Sequence, residues 1–127
     1  SIGPFARLRP ETVLQDEVKL GNFVEIKKSK LASKVKVNHL SYLGDSTVGK
    51  NTNIGAGTIT CNYDGKNKYQ SKIGDNCFVG TNSSIIAPVN IGKNSYIAAG
   101  SVITKNVPNN HFSISRSKQK NIKNFKK

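Results

Sequence analysis

Residues 73–103, IGDNCFVGTNSSIIAPVNIGKNSYIAAGSVI, place an aliphatic residue at every sixth position: Ile73, Val79, Ile85, Ile91, Ile97 and Ile103. A period of six fits neither the 3.6-residue turn of an α-helix nor the alternation of a simple hairpin array. It is the signature of a hexapeptide β-solenoid, in which each hexad supplies a short strand and a corner and the aliphatic anchor points inward. Three hexads close one triangular coil. Four residues after each anchor stands Cys77, Ser83, Val89, Ser95, Ser101 or Val107, each small or β-branched and suited to a tight interior.

Toward the N-terminus the same beat runs through Ile2, Leu8, Leu14, Leu20 and Ile26. It slips by one residue to Leu31, Val37 and Leu43, then again to Val48 and Ile54. The small partners continue as Ala6, Thr12, Val18, Val24, Val35, Ser41, Thr47, Thr52 and Thr58, with Lys30 the exception. Between residues 60 and 72 the beat is lost. The segment CNYDGKNKYQSK, 61–72, holds the turn formers Asn62, Asp64, Gly65 and Asn67 and reads as a protruding loop. Exposed loops on rigid scaffolds are common places for binding residues.

Two columns follow from the phasing. His39, Ala56, Thr81 and Ala99 all lie two residues after an anchor. If the break holds one hexad plus a seven-residue excursion, the four line a single edge. Small residues along an edge leave a groove for a long thin ligand, with His39 at one end. Arg9 and Lys27 each follow an anchor, 18 residues apart in an unbroken block, so they project from the same face of successive coils. Stacked cations are repulsive unless an anion joins them; two solvated surface charges are the alternative. Tyr42 falls near the same column.

Composition narrows the function classes. Aromatics make up 7% of the 127 residues, Trp and Met are absent, and Ile, Val and Leu supply the core, so the chain leans toward β structure. The net charge of +13 reflects either solvated lysines or attraction of phosphorylated ligands. Nucleic acid is not expected as a partner, because no zinc-finger spacing, helix-turn-helix or aromatic-rich binding signature is present. No membrane role is expected either, since no apolar run approaches the roughly 18 residues needed to span a bilayer. Cys61 and Cys77 match no metal spacing and form no disulfide framework, which favours a reduced, cytoplasmic setting. Ser1 stands in mid-repeat, so a preceding portion is expected.

RLRPE at 7–11, GNFVEIKKSKL at 21–31, NHLSYLGD at 38–45 and, above all, NIGAGTITCNYDGKNK at 53–68 carry a family resemblance. FVGTNSSIIAPVNIG at 78–92 and IAAGSVITKNVP at 97–108 extend it, up to Arg116. The chain resembles the C-terminal acetyltransferase domain of the bifunctional UDP-N-acetylglucosamine pyrophosphorylase/glucosamine-1-phosphate N-acetyltransferase family. That resemblance implies an all-β fold, a left-handed parallel β-helix over residues 1–107 with a loop insertion at 60–72. A C-terminal arm and basic tail would follow over 108–127, and the uridylyltransferase domain would lie outside this chain. The hand of the helix comes from the resemblance, not from the spacing.

The activity so implied is transfer of acetyl from acetyl-CoA to the amine of glucosamine 1-phosphate, for UDP-N-acetylglucosamine and hence peptidoglycan and lipopolysaccharide synthesis. The resemblance makes His39 the general base, supported by Glu25, with Asn62 or a backbone N–H near Thr81 stabilising the oxyanion. Arg9, Lys27, Tyr42, Asn53 and Lys68 correspond to sugar-phosphate contacts. Ala56, Asn62, Tyr63, Thr81, Ala99 and Arg116 correspond to acetyl-CoA contacts. It further implies a homotrimer and no metal in this domain, Mg2+ being expected only for the uridylyltransferase domain. A hexapeptide acyltransferase with another amino-sugar acceptor and a non-catalytic polyanion-binding solenoid are the competing readings. A zinc site of the carbonic-anhydrase type would need three imidazoles, and the chain has His39 and His111.

Overall fold

The computed structural model describes residues 1–126. Seventeen short strands and no helix are found among them, so no helix is long and apolar enough to cross a membrane. The strands fall into three parallel sheets of six, five and six, wound in order around about six turns of a left-handed β-helix. Sheet one runs from Arg7–Leu8 through Glu25–Lys27, Tyr42–Gly44, Ile59–Cys61 and Ser84–Ile86 to Val102–Ile103. Sheet two starts at Val13–Leu14 and sheet three at Lys19–Asn22.

The anchors form the core. Ile26, Leu31, Val37, Leu43, Val79, Ile85 and Ile97 are each 0% exposed. Burying a side chain of this kind contributes about 1.5–3 kcal/mol, and here the contribution recurs at every hexad. Ile2 and Leu8 lie in the first coil, with a neighbouring coil on one side only, and remain exposed.

Hydroxyls at the small positions close the corners. Ser41 donates to the His39 carbonyl at 2.8 Å, Thr58 to Gly55 at 2.7 Å and Ser83 to Gly80 at 2.8 Å, satisfying carbonyls that the sheets leave over. Most corners also carry a residue at positive φ. Phe5, Phe23, Leu40, Gly57, Asn82 and Gly100 occupy one edge; Glu11, Lys28 and Asp45 begin the second; Glu17, Lys34, Asn51, Asn76, Asn94 and Asn110 the third.

The slips in phase are taken up at a corner. Val13 pairs with Lys30 and Lys30 with Thr47, a step of 17 residues in place of 18. The expectation that Thr47 fills a small inward position is therefore corrected, and the exception at Lys30 is explained. Both are exposed, and Ser29 and Ser46 are buried instead, because in-out alternation holds along the strand leading to Leu31 and Val48 while the corner before it loses a residue. The break is one coil plus seven residues: Ile54 pairs with Val79, 25 positions on, and the sheets continue undisturbed on both sides. The winding also passes the expected limit at Val107, since Phe112–Ser113 pairs with Tyr96–Ile97 and Val102 N–H donates to Ser115 O at 2.9 Å.

Candidate functional site

The first group of candidate residues lies along the edge between sheets three and one. The pairs Val37–Ile54, Ile54–Val79 and Val79–Ile97 put His39, Ala56, Thr81 and Ala99 on successive rungs. Their carbonyls are tied to the next coil. Gly57 N–H donates to His39 O at 3.3 Å, Asn82 to Ala56 at 2.8 Å and Gly100 to Thr81 at 2.7 Å. The series ends where Arg116 Nη1 donates to Ala99 O at 2.6 Å. His39 is exposed, and its backbone is braced by the Ser41 hydroxyl. Thr81 N–H has no backbone partner among the described residues. A Cβ at Gly55 would stand 2.7 Å from that nitrogen, so glycine at this position leaves the donor uncovered.

A second group meets one strand away, at the edge between sheets one and two. Arg9, Lys27, Lys28, Lys68 and Asp45 line a cavity of about 330 Å³. Arg9 and Lys27 do stack on successive coils, but neither is unpaired. Arg9 Nη1 meets Glu25 Oε2 at 3.2 Å, and Lys27 Nζ meets Asp45 Oδ2 at 3.2 Å. Burial costs the Lys27 ammonium solvation, yet the hydrogen bond to Asp45, together with the other hydrogen-bonding and charge interactions around it, outweighs that cost and holds its pKa above that of a free lysine. Burial likewise opposes charge on Asp45, and the donors Asn62 and Lys27 override it, lowering the carboxyl's pKa. Lys68 is in no ion pair among the described residues; the Lys27 ammonium beside it pushes its pKa down, the response of a cation short of counter-charge.

The loop roofs this cavity. Its neck is closed by Tyr69 N–H donating to Asn62 O at 2.8 Å. Inside it, Asp64 accepts from the N–H of Asn67 at 2.7 Å and of Lys66 at 2.8 Å, and from Tyr69 Oη at 2.8 Å. These donors, Asn67 first, hold the Asp64 carboxyl below the usual carboxylate range. Tyr63 is exposed, with its hydroxyl on Gly65 O at 2.8 Å.

A family model described as the hexapeptide repeat of succinyl-transferase matches residues 71–105. The chain is 59% identical over 125 residues to bifunctional protein GlmU of Thermosipho melanesiensis and 60% identical over 125 residues to that of Desulfitobacterium hafniense. Each match covers 98% of this chain, which spans 28% of the length of these relatives. Over nearly its whole length the chain is similar to part of GlmU. Solved structures share the winding at low identity. PerB of Caulobacter crescentus, in complex with CoA and GDP-perosamine, superposes with a TM-score of 0.78 at 20% identity over 89% of this chain and 54% of that one. AntD, an N-acyltransferase from Bacillus cereus, gives 0.81 at 14% identity over 91% and 79%.

Three expectations carried by the GlmU resemblance meet a different geometry. Glu25 is expected behind the His39 imidazole, but its carboxylate is engaged by Arg9, since Glu25 lies on sheet one and pairs with Arg7 and Tyr42. Asn62 is expected, as one alternative to a backbone N–H near Thr81, to stabilise an oxyanion; its side chain is buried, with Nδ2 donating to Asp45 Oδ2 at 2.6 Å and to Tyr42 Oη at 3.4 Å. Asn53 is on sheet three, paired with Lys36 and Phe78, and lines a separate cavity of about 630 Å³ with Lys19 and Lys36. Arg9, Lys27, Tyr42, Asn62 and Lys68 are thus brought together, while His39 heads the column of Ala56, Thr81, Ala99 and Arg116 at the adjoining edge. Sequence reasoning missed Asp45 and Gly44. A Cβ at Gly44 would lie 2.6 Å from Asn62 Nδ2 and run into Tyr42 Oη, so glycine there lets those two side chains meet.

Proposed function

We propose that this domain transfers acetyl from acetyl-CoA to the amine of glucosamine 1-phosphate, giving N-acetylglucosamine 1-phosphate. The observation that carries the reading is the exposed imidazole at the head of a small-residue column, one short strand from a cation-lined cavity. In this acceptor the amine and the phosphate are on adjacent carbons. A phosphate held by Arg9, Lys27 and Lys68 directs the amine along Tyr42–Gly44 toward His39. His39 takes a proton from the acceptor nitrogen as it attacks the thioester carbonyl. The N–C bond forms, Thr81 N–H donates to the developing oxyanion, the C–S bond breaks, and CoA leaves as the thiol with the proton from His39. Ala56, Thr81 and Ala99 give the pantetheine room along the edge and Arg116 at its far end pairs with a CoA phosphate, while Tyr63 stands on the loop at the adjoining edge.

The same winding holds CoA together with an amino-sugar nucleotide in PerB, which supports a CoA thioester and an amino sugar here. The domain acts as a soluble, cytoplasmic homotrimer in this reading. Stacked Phe5 and Phe23, and the ladder Phe78–Tyr96–Phe112 with centroids 4.7 and 5.6 Å apart, are exposed apolar surface of the kind that subunits cover. Asn53, on its separate face, then serves the site of a neighbouring subunit. The deciding experiment incubates the protein with glucosamine 1-phosphate and acetyl-CoA, follows thiol release and identifies the product by mass. Thiol release without an acetylated sugar phosphate, or none at all, overturns the reading.

A further inference from the structure

Among the described residues, Asp45 is the one carboxylate at this edge that is removed from solvent. At the same position in the coils below, Glu11 and Lys28 have side chains 68% and 56% exposed, whereas that of Asp45 is 5% exposed. Its carboxylate is shared. Oδ2 accepts from Asn62 Nδ2 at 2.6 Å and from Lys27 Nζ at 3.2 Å, and Oδ1 takes Lys27 Nζ at 3.4 Å. Its main chain is engaged as well: its N–H donates to Lys27 O at 3.0 Å, and its carbonyl accepts from Ser71 N–H at 3.1 Å. Asn62 and Ser71 are the two feet of the protruding loop, where the chain leaves the coil and where it returns. Asp45 therefore holds both feet and the cavity lysine at once.

We infer that Asp45 is a positioning residue, which ties the loop bearing Tyr63 and Lys68 to Lys27 and sets the placement of the sugar phosphate under that loop. The inference rests on the proposed acetyl transfer. Physically, the carboxylate orients two donors from different coils, Lys27 in the cavity wall and the buried Asn62, and among the described residues neither has another carboxylate partner. A charge buried with both donors in place is rigid, and losing it loosens each of them. It also limits the cavity's net positive charge, so that an anionic ligand is oriented as well as attracted.

The test is Asp45→Asn. This variant is expected to fold, because asparagine already occupies the positive-φ corners at Asn51, Asn76, Asn82, Asn94 and Asn110. It keeps an acceptor for Asn62 and removes the charge facing Lys27. The expected result is a kcat lowered roughly 10- to 100-fold by misplacement. The KM for glucosamine 1-phosphate stays level or falls, since the cavity has gained positive charge. A purely structural role would lower the unfolding midpoint and leave kcat per folded molecule within twofold, which overturns the inference. A second readout needs no turnover. Amide hydrogen exchange over Tyr63–Lys68 is expected to quicken in Asp45→Asn, and unchanged protection there also overturns it. A parent protein that acetylates no sugar phosphate would sink the proposed function, and the exchange result would then still decide what Asp45 does to the loop.

Discussion

Replacing Lys27 by Met isolates the strongest electrostatic feature of the cavity. The Lys27 and Asp45 side chains are 14% and 5% exposed, so the pair is little screened. Methionine fills the same trough and leaves the Asp45 carboxylate with Asn62 as its remaining side-chain donor. Breaking a buried pair from one side costs about 3 kcal/mol, because the surviving charge stays desolvated. The pH dependence follows from the direction of each shift. In the parent the Asp45 pKa lies below its ordinary 3.8, so its contribution is complete above that value and fades as pH falls through the folded pKa. The Lys27 pKa lies above 10.5, so its contribution is complete below that value and fades only as pH rises through the folded pKa. Between these limits both charges stabilise the fold. In Lys27→Met, burial dominates and the Asp45 pKa rises, so its proton is taken up earlier on acidification. Urea unfolding at pH 7 and pH 3, at one protein concentration, should give a gap of about 3 kcal/mol that shrinks below about 1 kcal/mol in acid. Adding Asp45→Asn to Lys27→Met should recover most of the loss at pH 7. A gap under about 0.5 kcal/mol at pH 7, or an equal gap at both pH values, would refute the reasoning.

Other substitutions separate site from scaffold. His39→Ala removes an exposed side chain, so its unfolding midpoint should match the parent while thiol release falls roughly 10²–10⁴-fold; near-normal turnover excludes His39 as base. Gly44→Ala puts a methyl against Tyr42 Oη and the buried Asn62 Nδ2, which Asp45 holds in place, so it should cost about 1–3 kcal/mol in a urea melt and raise the KM for glucosamine 1-phosphate. Gly21→Ala drives its methyl into the Asn38 carbonyl and to 2.9 Å from Asn38 Cα, main-chain atoms that cannot step aside, and should cost about 1–3 kcal/mol.

How far the sequence could be read depended on whether a residue's place is set by period or by contact. The anchors, the seven-residue excursion and the column from His39 to Ala99 follow from counting, since each coil repeats the one below and register carries from strand to strand. Thr47 was misplaced, and Lys30 looked like an exception, because the count ran forward from an anchor; in-out alternation belongs to the strand leading into the next anchor, and the corner absorbs the slip. The partners of Glu25 and Asn62 were beyond counting altogether. Arg9 reaches from the coil below to a non-equivalent position at Glu25, and although Asn62 stands one rung above Asp45, counting does not show that its side chain turns onto that carboxylate. Asp45 looked like one more polar corner residue, because its burial is produced by the loop and not by the hexad.

That last point explains why an insertion here creates a site when most insertions only lengthen a loop. Sheet pairing resumes on the far side of residues 62–69 with Ser71 facing Ser46 and Thr60 facing Ile85, so the solenoid carries no penalty in register. What the excursion changes is the dielectric setting of a single corner. One coil lower, Lys28 and Glu11 approach to 3.9 Å in the open, a surface pair worth about 0–1 kcal/mol and free to reorient. Beneath the loop the equivalent corner becomes Asp45 with Lys27 and Asn62, dry and held from two coils. Rigidity is what a phosphate ligand needs from its cations, because a preformed cradle spares the ordering cost at binding. The repeat alone would offer mobile cations at Arg9 and Lys27; the loop turns Lys27 into a fixed position, from which, in the proposed reaction, the amine of a sugar phosphate would be aimed along Tyr42–Gly44.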